Sequence, residues 1–254
     1  MSPIFDHRLE ANPSRKVYWH WLALTFSAGS INAGGFLAAG RFVSHVTGFA
    51  TLFGVDLAVG QVVAGFGILS VPLFFMGGGM LAGLLIDRPI FNKKQPHFDW
   101  VMGISAACLI AAAVAGSLNQ WGMLGKMVKL RQAYWYLALL CLSSGLQNAA
   151  ITTSSGNSVR TTHLTGLTTD IGLGIARIFT LSLDNPLVKN ERGLLKVRFA
   201  TIVAFICGSV VGALLFIKFR YLGFLLPASI ALYFSFLGRQ FKLRTRFDHE
   251  TGEI

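Results

Sequence analysis

The sequence predicts an all-α polytopic membrane protein made of two homologous halves. Three observations carry that expectation. Hydrophobic residues make up 53% of the chain and charged residues only 13%, and the mean hydropathy of +0.58 lies outside the range of soluble domains. The apolar residues gather into runs of about 18 to 22, enough at 1.5 Å per residue to cross a hydrocarbon core of about 30 Å. Finally, the pattern His-x-Thr-Gly-x-x-Thr-x-x-Gly stands at His45 to Gly54 and returns 118 residues later at His163 to Gly172. No run alternates with period two, so the spans are helices and not barrel strands.

Residues 1–16 are polar and are expected to form a cytoplasmic segment. They are too long for a signal n-region, and the helix behind them carries Asn32 and several Gly, so a retained first helix is expected. The first membrane repeat, 17–118, holds apolar runs near Tyr18–Ala39, Phe66–Ile86 and Val101–Leu118, with a shorter run, Val46–Ala64, opening at the motif. A linker follows at 119–132. The second repeat, 133–238, holds Ala133–Thr152, Phe199–Ile217 and Leu222–Leu237, with its own short run, Leu164–Leu181; a basic tail occupies 239–254.

The halves align residue by residue. Gly29 pairs with Gly145 and Asn32 with Asn148; the two motifs pair next, then Gly79 and Gly83 with Gly208 and Gly212, the offset growing only where loops lie. Each half thus has about three spanning helices and one short helix, giving six to eight membrane segments. If the short helix crosses, the repeat is parallel; if it re-enters, the repeat is inverted. Both layouts satisfy the positive-inside tendency, and both leave the two termini in the cytoplasm with the RQFKLRTRF run close to anionic lipid.

The formal charge of +11 does not point to nucleic acid, because Lys and Arg are scattered through loops and termini and no aromatic-basic strip or zinc spacing accompanies them. Cys108, Cys141 and Cys207 fall inside apolar helices at spacings that suit neither a disulfide framework nor a metal, so buried packing is expected of all three. No metal and no cofactor are expected. The chain has no Ser-His-Asp order and no paired catalytic carboxylates, and an enzyme is not expected.

AGSINAGGFLAAGRFVSHVTGFATLFG in the first half and GLQNAAITTSSGNSVRTTHLTGLTTDIGLG in the second resemble the YoaK family of bacterial membrane proteins, also called the domain-of-unknown-function 1275 family. The likeness extends from about Trp21 to Phe236. Its most specific parts are Gly29, Asn32, Ala33, Ser44, Thr47 and Gly48, and then Gly145 to Ala149 with Arg160 to Gly166. The resemblance implies a multi-pass protein of the bacterial inner (plasma) membrane and supplies no substrate, reaction or catalytic residue. The family pattern often places an Asn after the first Thr-Gly, where this chain has Phe49.

The candidate site is built from the motif starts. Ser44 and Thr162 can cap the exposed amides of the short helices, and Thr47-Gly48 and Thr165-Gly166 allow close approach of another surface. Helix N-termini of this kind concentrate partial positive charge, and two of them facing one another would cradle an anion, with Arg41 and Arg160 deepening the potential. His45 and His163 either titrate and couple transport or act as neutral hydrogen-bonding groups. Asn32, Gln147 and Asn148 either bind solute in a central cavity or hydrogen-bond between helices. Asp56 and Asp170, acids in apolar surroundings, are either proton or cation sites or partners of Arg41, Arg160 or Arg177. The Gly79 and Gly208 motifs are expected to bring helices together. The expected function is a transporter or permease for a small anionic solute bound between the repeats; the alternatives are an interaction or assembly protein forming homo-oligomers, and, less favoured, a membrane-embedded enzyme.

Overall fold

The computed structural model describes residues 15–119, 130–155, 161–182 and 185–251. Among them no strand occurs, and the chain is helical with short turns: α1 (Arg15–Ala39), α2 (Val46–Ala58), α3 (Val62–Leu85), α4 (Asp87–Phe91), α5 (Phe98–Asn119), α6 (Leu130–Ser154), α7 (Leu164–Thr180), α8 (Pro186–Phe219), a 3-10 turn (Arg220–Phe224) and α9 (Leu225–Thr251). Most apolar runs of the sequence lie on one of these elements, but Val46–Ala64 is broken by the turn between α2 and α3, and Leu222–Leu237 begins in the 3-10 turn and continues into α9, which runs on through the expected basic tail to Thr251. Four helical stretches are long and apolar enough to cross a bilayer: Arg15–Ala39, Val62–Phe91, Phe98–Leu118 and the 57-residue stretch Pro186–Lys242. Their outer faces carry large apolar side chains such as Phe66, Met80, Leu118, Phe199 and Leu214, all exposed, as lipid-facing surfaces require. The helix α6, expected to span, falls outside those four; Ser143, Ser144, Gln147 and Asn148 lower its hydropathy and point inward or to neighbouring chain.

The long helices exchange partners between the ends of the chain. On α1, Phe26, Ser30 and Gly34 lie against Gly208, Gly212 and Phe216 of α8, so the two helices run side by side in the same sense. On α3, Ser70 meets Tyr134, Gly78 meets Leu142, and Gly83 shares a recess with Thr152 of α6, again in the same sense. Between these pairs α1 and α6 run in opposite senses, Ser27 reaching Gln147 while Gly35 lies beside Leu140. Helices α5 and α9 form a second antiparallel pair, through Asp99 with Gly238 and Gly103 with Ser235, and the 3-10 turn before α9 extends the pair with Tyr221 against Gly116.

Close approach explains the glycines. A Cβ on Gly29 would collide with the carbonyl of Phe205, one on Gly145 with the carbonyl of Phe75, and one on Gly208 with that of Phe26. The glycine that does the same on α3 is Gly78, against the Leu142 carbonyl. This corrects the expected register. A Cβ at Gly79 meets nothing within 4 Å and one at Gly83 only Asp87 Oδ2 at 3.6 Å, because one residue along a helix turns the side-chain direction by about 100°. Gly208 and Gly212 do pack as expected.

The short helices are half-length partners of the helices that follow them. The chain turns at Gly60, whose φ of +78° favours glycine, so α2 folds back along α3, with Phe53 against Phe66 and Asp56 beside Gly65. At 13 residues against 24, and 1.5 Å per residue, α2 reaches only to about the middle of α3. The same holds for α7 against α8, 17 residues against 34, in the antiparallel register set by Asp170 with Arg198 and Gly174 with Leu195. Consequently α2 points the same way as α1, and α7 the same way as α6. The connection after α1 doubles back along its own helix: Gly40 turns at φ +67° and Val43 packs beside Gly35.

Cys108 and Cys141 are buried as expected, whereas Cys207 is exposed on α8; it sits next to Gly208 on the helix, and the face that contacts α1 belongs to the glycine.

Candidate functional site

Both connections into the short helices hang from an asparagine. Asn32 Oδ1 accepts from the backbone amides of Val43 (3.1 Å) and Ser44 (3.4 Å) and from Ser44 Oγ (3.3 Å). Asn148 Oδ1 accepts from Thr161 Oγ1 (3.2 Å) and Thr162 Oγ1 (3.3 Å). A half-buried amide oxygen holding two or three donors fixes where the next helix starts. Ser44 and Thr162 therefore do not cap: the N-cap residues are His45 and His163, and neither helix has a side-chain cap. The hydroxyls that the sequence assigned to capping are turned to Asn32 and Asn148 instead.

At the first opening the His45 ring lies over Gly48, where a Cβ would stand 2.7 Å from Nδ1, and stacks edge-on to Phe42, which in turn stacks on Phe36. Together with Gly40, Arg41, Phe49 and Leu52 these residues line a largely apolar recess of about 230 Å³. Arg41 interacts electrostatically with Asp56 and its Nη1 reaches the Ala39 carbonyl at 3.5 Å.

At the second opening the surroundings are polar. A recess of about 320 Å³ is lined by Gly79 and Gly83 of α3, Asp87 of α4, Asn148, Ala149, Thr152 and Thr153 of α6, and His163. The bare backbone at Gly79 and Gly83 is what leaves this space open. Thr152 Oγ1 donates to the Asn148 carbonyl at 2.6 Å, so toward the recess it presents an acceptor.

The structure does not bring the two openings together. The recesses share no residue, and α2 packs on α3 while α7 packs on α8. Thr47, Thr165 and Gly166 are exposed and line neither recess. Arg160 lies outside the described residues.

Gln147 is buried in a knot apart from both recesses. Its Nε2 donates to Ser105 Oγ (2.9 Å), its Oε1 accepts from Ser27 Oγ (3.2 Å), and Ser105 and Ser143 hydroxyls lie 2.8 Å apart. Three helices are thereby linked through a fully enclosed polar cluster.

Asp170 pairs with Arg198 at 3.8 Å, and Arg198 also holds Glu191 at 2.7 Å, which Arg177 reaches at 3.1 Å. The four charges clasp α7 to α8. Of the partners expected for the acids, Arg41 feels the charge of Asp56 without forming an ion pair with it, while Arg177 serves Glu191. Asp87, Glu191 and Arg198 escape a reading by hydropathy, because the apolar runs end at Ile86 and begin at Phe199, whereas α8 starts thirteen residues earlier at Pro186, capped by Asn185. The signal available was the Asn-Pro pair, a helix-start pattern. Among the described residues no group of His, Cys, Asp and Glu is placed to hold a metal ion.

Residues 20–237, which include both openings and both recesses, match the model of a family described as protein of unknown function DUF1275. The chain belongs to the DUF1275 family. No curated protein and no solved structure matches it. In this DUF1275 protein the match covers all four stretches able to cross a bilayer except their outermost turns, so the membrane helices and the two Asn-tethered openings belong to one family unit.

Proposed function

We propose that this DUF1275 protein is a permease for a small polar solute, built as an inverted repeat with six crossings and two short helices that enter only part-way. The observation that carries the reading is the polar recess at the second opening, which lies between α3, α4, α6 and the start of α7. Supporting it, α1, α2, α5 and α8 run one way and α3, α6, α7 and α9 the other, so each half begins in the opposite direction to its counterpart. Gly29 and Gly145 occupy matching places against the carbonyls of Phe205 and Phe75, and Asn32 and Asn148 matching places at the short helices. Inverted halves, with interrupted helices opening near mid-depth, are the arrangement in which many secondary transporters place their substrate.

The two halves differ in chemistry. Phe36 in the first half occupies the place of Thr152 in the second, counted from the paired asparagines. The recess of the first half is closed around by aromatic rings, and that of the second is polar. Solute recognition is therefore assigned to the second opening, with Asn148, Thr152, Thr153, His163 and Asp87, and the first opening to its counterpart on the other side of the membrane.

The test is uptake by proteoliposomes holding the purified full chain, offered a panel of small radiolabelled anions, zwitterions, amines and neutral polyols. Saturable flux of at least one compound, weakened when Thr152 and Thr153 are replaced by Val, is expected. No flux and no saturable binding for any member of the panel overturns the proposal.

A further inference from the structure

We infer that the solute accepted at the second opening carries a positive charge, as a small protonated amine does, and that Asp87 is its counter-ion. This rests on the permease reading above and names its substrate class.

Asp87 is the only charged residue lining the polar recess among the described residues. Its carboxylate makes no ion pair there, whereas Asp99 is held by Lys242, Asp170 by Arg198, and Glu191 by Arg177 and Arg198. In a chain with 22 Lys and Arg against 11 Asp and Glu, bases to pair with it are in excess. Asp87 is half-buried and faces the recess without a basic partner, so an entering cation meets an uncompensated carboxylate.

The rest of the wall agrees. The Thr152 hydroxyl has its proton committed to the Asn148 carbonyl, so it accepts, as an ammonium requires. Asn148 Oδ1 is occupied by Thr161 and Thr162, which leaves its amide nitrogen to donate to a solute oxygen. Gly79 and Gly83 contribute space instead of side chains, and Gly83 brings the helix surface to 3.6 Å from Asp87 Oδ2 for a Cβ placed there. The volume of about 320 Å³ has room for about ten water-sized groups at about 30 Å³ each. A compact amino alcohol or amine fits that space and that pattern of acceptors with one donor.

The deciding experiment is uptake by proteoliposomes of wild type, Asp87→Asn, Asp87→Glu and Asp56→Asn, with methylammonium, ethanolamine, choline, acetate, phosphate and glycerol as probes. Amine uptake is expected in the wild type, reduced at least tenfold in Asp87→Asn, kept within threefold in Asp87→Glu, and unaffected by excess acetate or phosphate. Should Asp87→Asn not fold, the wild type alone decides: amines must compete with one another and anions must not. Flux of an anion or of glycerol that Asp87→Asn leaves unchanged overturns the inference while leaving a permease standing. Absence of flux for every probe overturns both.

Discussion

Gly29 of α1 lies so close to the backbone carbonyl of Phe205 of α8 that no side chain fits between them, and Gly145 of α6 stands in the same relation to Phe75 of α3. Without a hydrophobic driving force in lipid, such contacts and interhelical hydrogen bonds hold helices together. Gly29→Ala is therefore expected to destabilise by about 1 to 3 kcal/mol, the cost of overpacking a closed contact. Gly79→Ala, next to the packed Gly78 on α3 but facing open space, is expected to fold as well as the wild type. Thermal midpoints in detergent check both; equal losses for the two variants would remove the register drawn here.

The topology is tested by labelling. In a Cys-free background, Gln61→Cys at the α2–α3 turn and Asn92→Cys after α4 are both exposed. With six crossings, Asn92→Cys reacts with an impermeant thiol reagent from the side on which the N-terminus lies, and Gln61→Cys from the opposite side. Eight crossings reverse both results.

Asn148→Ala removes the acceptor shared by Thr161 and Thr162. Thr161 is buried, and a buried hydroxyl left without a partner costs about 1 to 3 kcal/mol. A lower thermal midpoint in detergent is the expected outcome, and an unchanged midpoint would show that the tether does not hold the second opening. Asn32→Ala should do the same at the first opening.

The ionic clasp on α7 is unequal in its parts. Arg198→Ala leaves the enclosed Glu191, whose side chain is 10% exposed, with Arg177 alone, and is expected to cost about 1 to 3 kcal/mol. Asp170→Asn, at a side chain 51% exposed, should stay within about 0.5 kcal/mol. Limited proteolysis between α6 and α8 reads the release of α7 directly; equal sensitivity in the two variants would show that Glu191 is not the centre of the clasp.

The sequence by itself determined the helices, their order and where the short ones begin. Apolar runs of membrane length and a repeated His-x-Thr-Gly pattern are local properties, and the helix bounds follow from them to within a few residues, except at α2, which stops at Ala58 instead of Ala64, at α8, whose charged first turns hide its start, and at α9, which continues through the basic tail to Thr251. It also singled out Asn32 and Asn148, whose matching places are written in the spacing. What only the tertiary structure decided is what each residue faces. A shift of one residue moves the packing glycine from Gly79 to Gly78, since helical neighbours point about 100° apart. The sense of α2 relative to α1 depends on a connection folded back onto Asn32, which no hydropathy pattern records. The polar recess joins Asp87, Thr152 and His163 from three separate helices and their ends, and residues that far apart in the chain meet only through the exchange of partners between α3 and α6.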